Sequence, residues 1–69
     1  MRTLYDVQQF LKGYGTFVHV GKRLWDIEVM SMELKKMYEQ GIVQKDEYIE
    51  AQLILKKEHR LEEEDNHGK

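Results

Sequence analysis

Residues 12–23 read Lys-Gly-Tyr-Gly-Thr-Phe-Val-His-Val-Gly-Lys-Arg, KGYGTFVHVGKR, and the fold turns on how they are read. The first half nearly spells the ribonucleoprotein motif of RNA-recognition domains, a strand whose rings stack on bases. Lys12-Gly13-Tyr14-Gly15 fits it, but Thr16 intrudes before Phe17-Val18-His19. Strand side chains alternate with period two, so one extra residue turns Phe17 to the wrong face. Val20 also stands where a ring is required. The second half nearly spells a phosphate-binding loop, which needs four residues between its glycines and then Lys-Ser or Lys-Thr. Five residues lie between Gly15 and Gly21, and Arg23 occupies the hydroxyl position. Neither motif holds. The stretch reads instead as an extended joint between two helices, because it lacks helical spacing and alternates around Val18 and Val20.

Outward from the joint, helical periodicity takes over. On the N-terminal side, Leu4, Val7, Leu11 and Tyr14 recur at spacings of three and four, with Phe10 widening the face. Thr3 is the expected N-cap, Asp6 completes a capping-box variant, and Gly13 is the expected stop. On the other side, Ile27, Met30, Leu34 and Met37 form the stripe of a second helix over about Lys22 to Gln40. Gly41 and Ile42 then suit a Schellman cap. A third helix is expected from near Gln44, with Asp46 and Glu47 at its positive dipole end and Val43 and Tyr48 spaced as a hydrophobic staple. Tyr48, Ala51, Ile54 and Leu55 face inward, and Ile49 and Leu53 form a second shoulder. Beyond about His59 the pattern thins to Leu61. The expected architecture is all-α: a small three-helix bundle over residues 1–60, with an extended connector between helices one and two. Residues 61–69 are expected to be an acidic, disordered tail.

The chain has 69 residues, no cysteine and no proline. A domain this short has a thin stability margin, and here no disulfide or thiolate metal site can reinforce it. Helix packing or self-association must supply the difference. Neither a secretory apolar run nor a transmembrane stretch is present, so a cytoplasmic location without a membrane partner is expected. Net charge is −2, unevenly placed. Arg2, Lys12, Lys22 and Arg23 face Asp6 alone in the first 25 residues, whereas Glu62, Glu63, Glu64 and Asp65 stand together.

Two functional readings follow. In the first, the connector binds single-stranded nucleic acid: Arg2, Lys12, Lys22 and Arg23 neutralise phosphates, and Tyr14, Phe17 and His19 offer rings. Its bland counterpart has Phe17, Val18 and Val20 plugging the bundle's open end while the basic residues are merely solvated. In the second, Trp25, Val29 and Met32, almost opposite the Ile27–Met30–Leu34 stripe, form an interface for a protein partner or for the chain itself. The bland counterpart there is a connector folded over Trp25. Catalysis has little to draw on: Thr3, Thr16 and Ser31 lack a nucleophile context, and His59 with Glu63 makes a poor metal site. The expectation is a non-enzymatic binding module without cofactor, metal or small-molecule substrate.

The segments LYDVQQFLKGYG, GKRLWDIEVMSMELKKMYEQG and YIEAQLILKKE, in this order and spacing, resemble the YqgQ-like family of small bacterial proteins typical of Bacillus and its relatives. The resemblance covers roughly residues 1–60. It implies a cytoplasmic three-helix bundle, brings no catalytic motif, and leaves single-stranded nucleic-acid binding as a role to test. The acidic tail lies outside it.

Overall fold

Thr3 starts the first helix as its sequence demands. Its hydroxyl accepts the Asp6 N–H at 3.2 Å, and the Asp6 carboxylate accepts the Thr3 N–H at 3.1 Å, a complete capping box. In the computed structural model, which describes residues 1–67, this opens α1 (Leu4–Gly13). α2 (Arg23–Glu39) and α3 (Lys45–His67) follow, and among the described residues there is no strand. The fold is an all-α three-helix bundle. The ribonucleoprotein and phosphate-loop readings of the joint fall with it, since both need a β-sheet.

Two helices end on the same device. At α2, Gly41 takes a left-handed φ of 75°, its N–H donates to Tyr38 O at 3.0 Å, and the Ile42 N–H donates to Met37 O at 2.9 Å. That pair of bonds is the Schellman motif expected there. At α1 the stop lies two residues beyond Gly13, the expected one. Gly15 has φ 86°, its N–H donates to Lys12 O at 2.9 Å, and the Thr16 N–H donates to Leu11 O at 3.0 Å. Lys-Gly-Tyr-Gly is therefore a helix terminus. Gly13 remains helical because Gly15 is the residue that must turn left-handed.

The short turn after Gly41 sets α3 antiparallel to α2. The Glu47 carboxylate accepts the Gln44 N–H at 3.3 Å at the start of α3, and Val43 is buried behind it. Tyr38 and Tyr48 stack across the hairpin, with ring centres 4.3 Å apart and 7° between planes. Ile27, Met30, Leu34, Ala51 and Leu55 form the sealed centre, and α1 closes it with Val7 and Leu11. Ile49 and Leu53, the second shoulder of α3, stay exposed.

α3 departs from expectation at its far end. It does not fray near His59 but runs on to His67, through the stretch expected to be a disordered tail. The apolar stripe does end, but other contacts succeed it. The Arg23 guanidinium lies 3.3 Å from Glu58 and 3.6 Å from Glu62, and His59 Nδ1 is 3.1 Å from the Glu63 carboxylate. These pairs tie successive turns to α2 and to each other. The final two residues of the expected tail, 68–69, lie outside the described residues.

Candidate functional site

Between the two helix ends the chain spends residues 16–22 without regular structure. One of them enters the core. Val18 is buried, and its carbonyl accepts the Gln8 side-chain N–H at 3.2 Å. Phe17 and Val20, its expected companions in plugging the bundle, point out instead, 72% and 50% exposed. Alternation along an extended segment accounts for Phe17 and His19 pointing out on either side of Val18, while Val20, two residues on, departs from it. Gly21, at φ 106°, then swings the chain into Lys22, the N-cap of α2.

The outward rings are accompanied by cations. Lys12 Nζ lies 5.9 Å from the centre of the Phe17 ring, and Lys22 Nζ lies 4.8 Å from the centre of the Trp25 ring. Both distances are in cation–π range. Lys12, Phe17 and His19 line one shallow cleft between α1 and the connector, and Gln8 and Gln9 complete it. Lys22, Arg23 and Trp25 line a second, where Glu62 also stands.

The remaining residues assigned from sequence are not drawn in. Tyr14 caps α1 with its ring edge-on to Phe10, 5.2 Å between centres, and lines a different depression with Glu33 and Lys36. Arg2 sits before the first turn of α1 and Lys12 in its last, about 15 Å apart along a helix of ten residues. Arg23 is committed to Glu58 and Glu62. Asp26, in the first turn of α2, accepts the Val20 N–H and puts a carboxylate where an anion would approach. The glutamines were missed in the sequence. Their signal was positional, since Gln8 and Gln9 precede Lys12 by four and three residues and so share its face.

The second assigned surface divides. Trp25 is 52% and Met32 61% exposed, so the connector does not cover Trp25. Val29 between them is half-buried and packs on the core. Trp25 belongs to the Lys22 cleft, while Met32 borders a groove between α2 and α3 lined also by Ser31, Gln52, Lys56 and His59. Among the described residues no group of three His, Cys, Asp or Glu side chains could hold a metal ion, and no helix is long and apolar enough to cross a membrane.

A family model described as YqgQ-like matches residues 1–61. The chain belongs to the YqgQ-like family. It is also similar to the uncharacterised protein YqgQ of Bacillus subtilis (strain 168), at 43% identity over 58 residues, which cover 84% of this chain and 82% of that protein. The family match takes in all of α1, the connector and α2, and it ends as the acidic run of α3 begins.

Proposed function

We propose that this chain is a small non-enzymatic module that holds single-stranded nucleic acid weakly and without sequence preference on its connector. The observation that carries the reading is the pair of exposed rings, Phe17 and Trp25, each with a lysine ammonium beside it. Rings stack on any base, and lysines meet the phosphates between bases, which is how sequence-tolerant single-strand binders work. His19 adds an exposed ring to the first cleft, and the Gln9 amide adds a donor and an acceptor. Arg23 and Asp26 limit the affinity, the first by being paired already and the second by repelling phosphate. A cysteine-free chain suits the reducing cytoplasm, which is where the proposal puts it.

The test is anisotropy of a labelled single-stranded oligonucleotide titrated with the full chain, with duplex of equal length beside it, across a salt series. Saturable, single-strand-preferring and salt-sensitive binding is expected. Lys12→Glu combined with Lys22→Glu should flatten the slope of log K against log salt by about 1.4, the value for two phosphate contacts on a single strand. Phe17→Ala should weaken binding by about 1–3 kcal/mol at unchanged slope. Unchanged helicity must accompany each change. Absence of binding at low salt, or indifference to the lysine pair, overturns the proposal.

A further inference from the structure

The outer face of α3 carries a stripe that neither the core nor the connector uses. Asp46, Ile49, Leu53, Lys56, Arg60 and Glu63 follow one another at alternating spacings of three and four, and all are exposed. That is the spacing of a helix–helix seam. Its apolar centre is Ile49 and Leu53, 46% and 62% exposed, and Met32 stands 61% exposed on the α2 wall of the groove alongside. The groove floor is already satisfied, because the Ser31 hydroxyl donates to Gln52 Oε1 at 2.9 Å and Gln52 Nε2 donates to Ser31 O at 3.3 Å. What remains unmet there is apolar.

Charge selects the occupant. After Lys45, the signs along α3 run acidic at Asp46, Glu47 and Glu50, basic at Lys56, Lys57 and Arg60 with Glu58 among them turned toward Arg23, and acidic again from Glu62 to Asp65. Two parallel copies of this helix would set like against like. Two antiparallel copies with Leu53 against Leu53 set Asp46 level with Arg60, bring Glu50 within one residue of the level of Lys57, and bring Lys45 within two of Glu63, each pair formed twice by symmetry. Among the described residues Lys45, Asp46, Lys57 and Arg60 form no ion pair within the chain. We propose that the exposed face of α3 binds a second copy of the same chain, antiparallel about a two-fold axis at Leu53, with Ile49 and Met32 flanking the axis. This surface is separate from the connector, and the proposal does not depend on nucleic-acid binding. With two or three apolar residues from each copy the contact is at the small end of specific interfaces, so the dimer is transient, with Kd on the order of 10 μM.

Sedimentation equilibrium of the full chain without nucleic acid, from about 5 μM to 1 mM, reads this directly. A reversible monomer–dimer equilibrium is expected. Leu53→Glu, which places two carboxylates at the axis, should weaken it about 100-fold, as loss of a central apolar anchor does. Asp46→Arg and Arg60→Asp should each weaken it about tenfold by juxtaposing like charges, and the double variant should return it to near the starting value. All three positions are exposed, so circular dichroism should show the fold unchanged. Three results overturn the proposal: a monomer at every concentration, a dimer indifferent to Leu53→Glu, or a charge swap without rescue. A dimer broken by Trp25→Ser and not by Leu53→Glu would move the interface off α3 to the N-terminal end of α2.

Discussion

The α2–α3 hairpin and the α1–connector arm are built differently, although both are helices ended by glycine. The hairpin pairs helices of 17 and 23 residues over a continuous apolar seam, and adds the Tyr38–Tyr48 stack, the Ser31–Gln52 bonds and the Arg23 bridge. α1 has ten residues and seals two of them, Val7 and Leu11. It is held to the hairpin by those two side chains, by Met1, Leu4 and Phe10 packed half-buried on the core, and by the Met1 ammonium on Glu50 at 2.6 Å, while the Gln8–Val18 bond ties the connector to α1. Isolated helices of ten residues are marginal in water, so α1 borrows its stability from the hairpin. The arm displays Lys12, Phe17 and His19 of the proposed site, while Trp25 stands in the first turn of α2 with Lys22 as its N-cap. The Phe17 half of the binding surface therefore coincides with the lesser stability, as happens where a segment must adapt to a ligand.

The comparison breaks most visibly at Leu34, which is fully buried in the centre of α2. Leu34→Ala should cost about 3 kcal/mol through lost burial and a residual cavity. For a chain of this length total stability is roughly 3–10 kcal/mol, so the urea midpoint should drop steeply and α1 should melt together with the hairpin. If α2 and α3 stayed helical while α1 alone melted, the hairpin would not depend on that seam and the contrast would be wrong.

A sharper comparison uses the two glycine stops. An added Cβ meets nothing within 4 Å at either Gly15 or Gly41, so Gly→Ala at each introduces the left-handed backbone cost, about 1–2 kcal/mol, without a clash. At Gly41 that cost should appear in global stability, because the turn it strains joins the two halves of the hairpin. At Gly15 it should appear mainly as faster hydrogen exchange across α1, with a smaller shift of the global midpoint. Equal global shifts and uniform exchange would mean that α1 and the hairpin open as one unit.

Much of this contrast was legible in the sequence, because periodicity and caps are local. Thr3 with Asp6, the Gly41–Ile42 turn and the Ile27–Met30–Leu34–Met37 stripe each needed only a few neighbouring residues to be read. What escaped was set by distance. Gly13 and Gly15 are equally able to end a helix, and the choice between them fixes where Val18 enters the core, a tertiary matter. The continuation of α3 past His59 rests on Arg23, 35 residues before Glu58, which no single-helix pattern contains. The same pairing withdraws Arg23 from the candidate site. Arg2 and Lys12 were grouped by sign, and a helix of ten residues keeps them apart. Lys12 with Phe17 and Lys22 with Trp25 were within reach, since each pair lies within one or two turns of chain.

The smallest expected effect distinguishes the arm by pH. The Asp6 carboxylate accepts the Arg2 N–H at 2.8 Å and the Thr3 N–H at 3.1 Å. These bonds, the one from Arg2 first, hold its pKa below the ordinary aspartate value of 3.8. A carboxyl with a depressed pKa in the folded chain contributes stability that is fully present above the ordinary value and disappears as pH falls through the folded one. The capping box should therefore loosen only below about pH 4, where protonation costs Asp6 its charge at the positive end of α1. Hydrogen exchange at the first-turn amides of α1, followed from pH 5 to pH 2 and corrected for intrinsic rates, should rise there before the hairpin amides respond. Asp6→Asn retains an acceptor oxygen but does not titrate, so in that variant the early rise should vanish. If it persisted, the acid response of α1 would have to come from another carboxylate, and Glu50, which receives the Met1 ammonium, would be the next to replace.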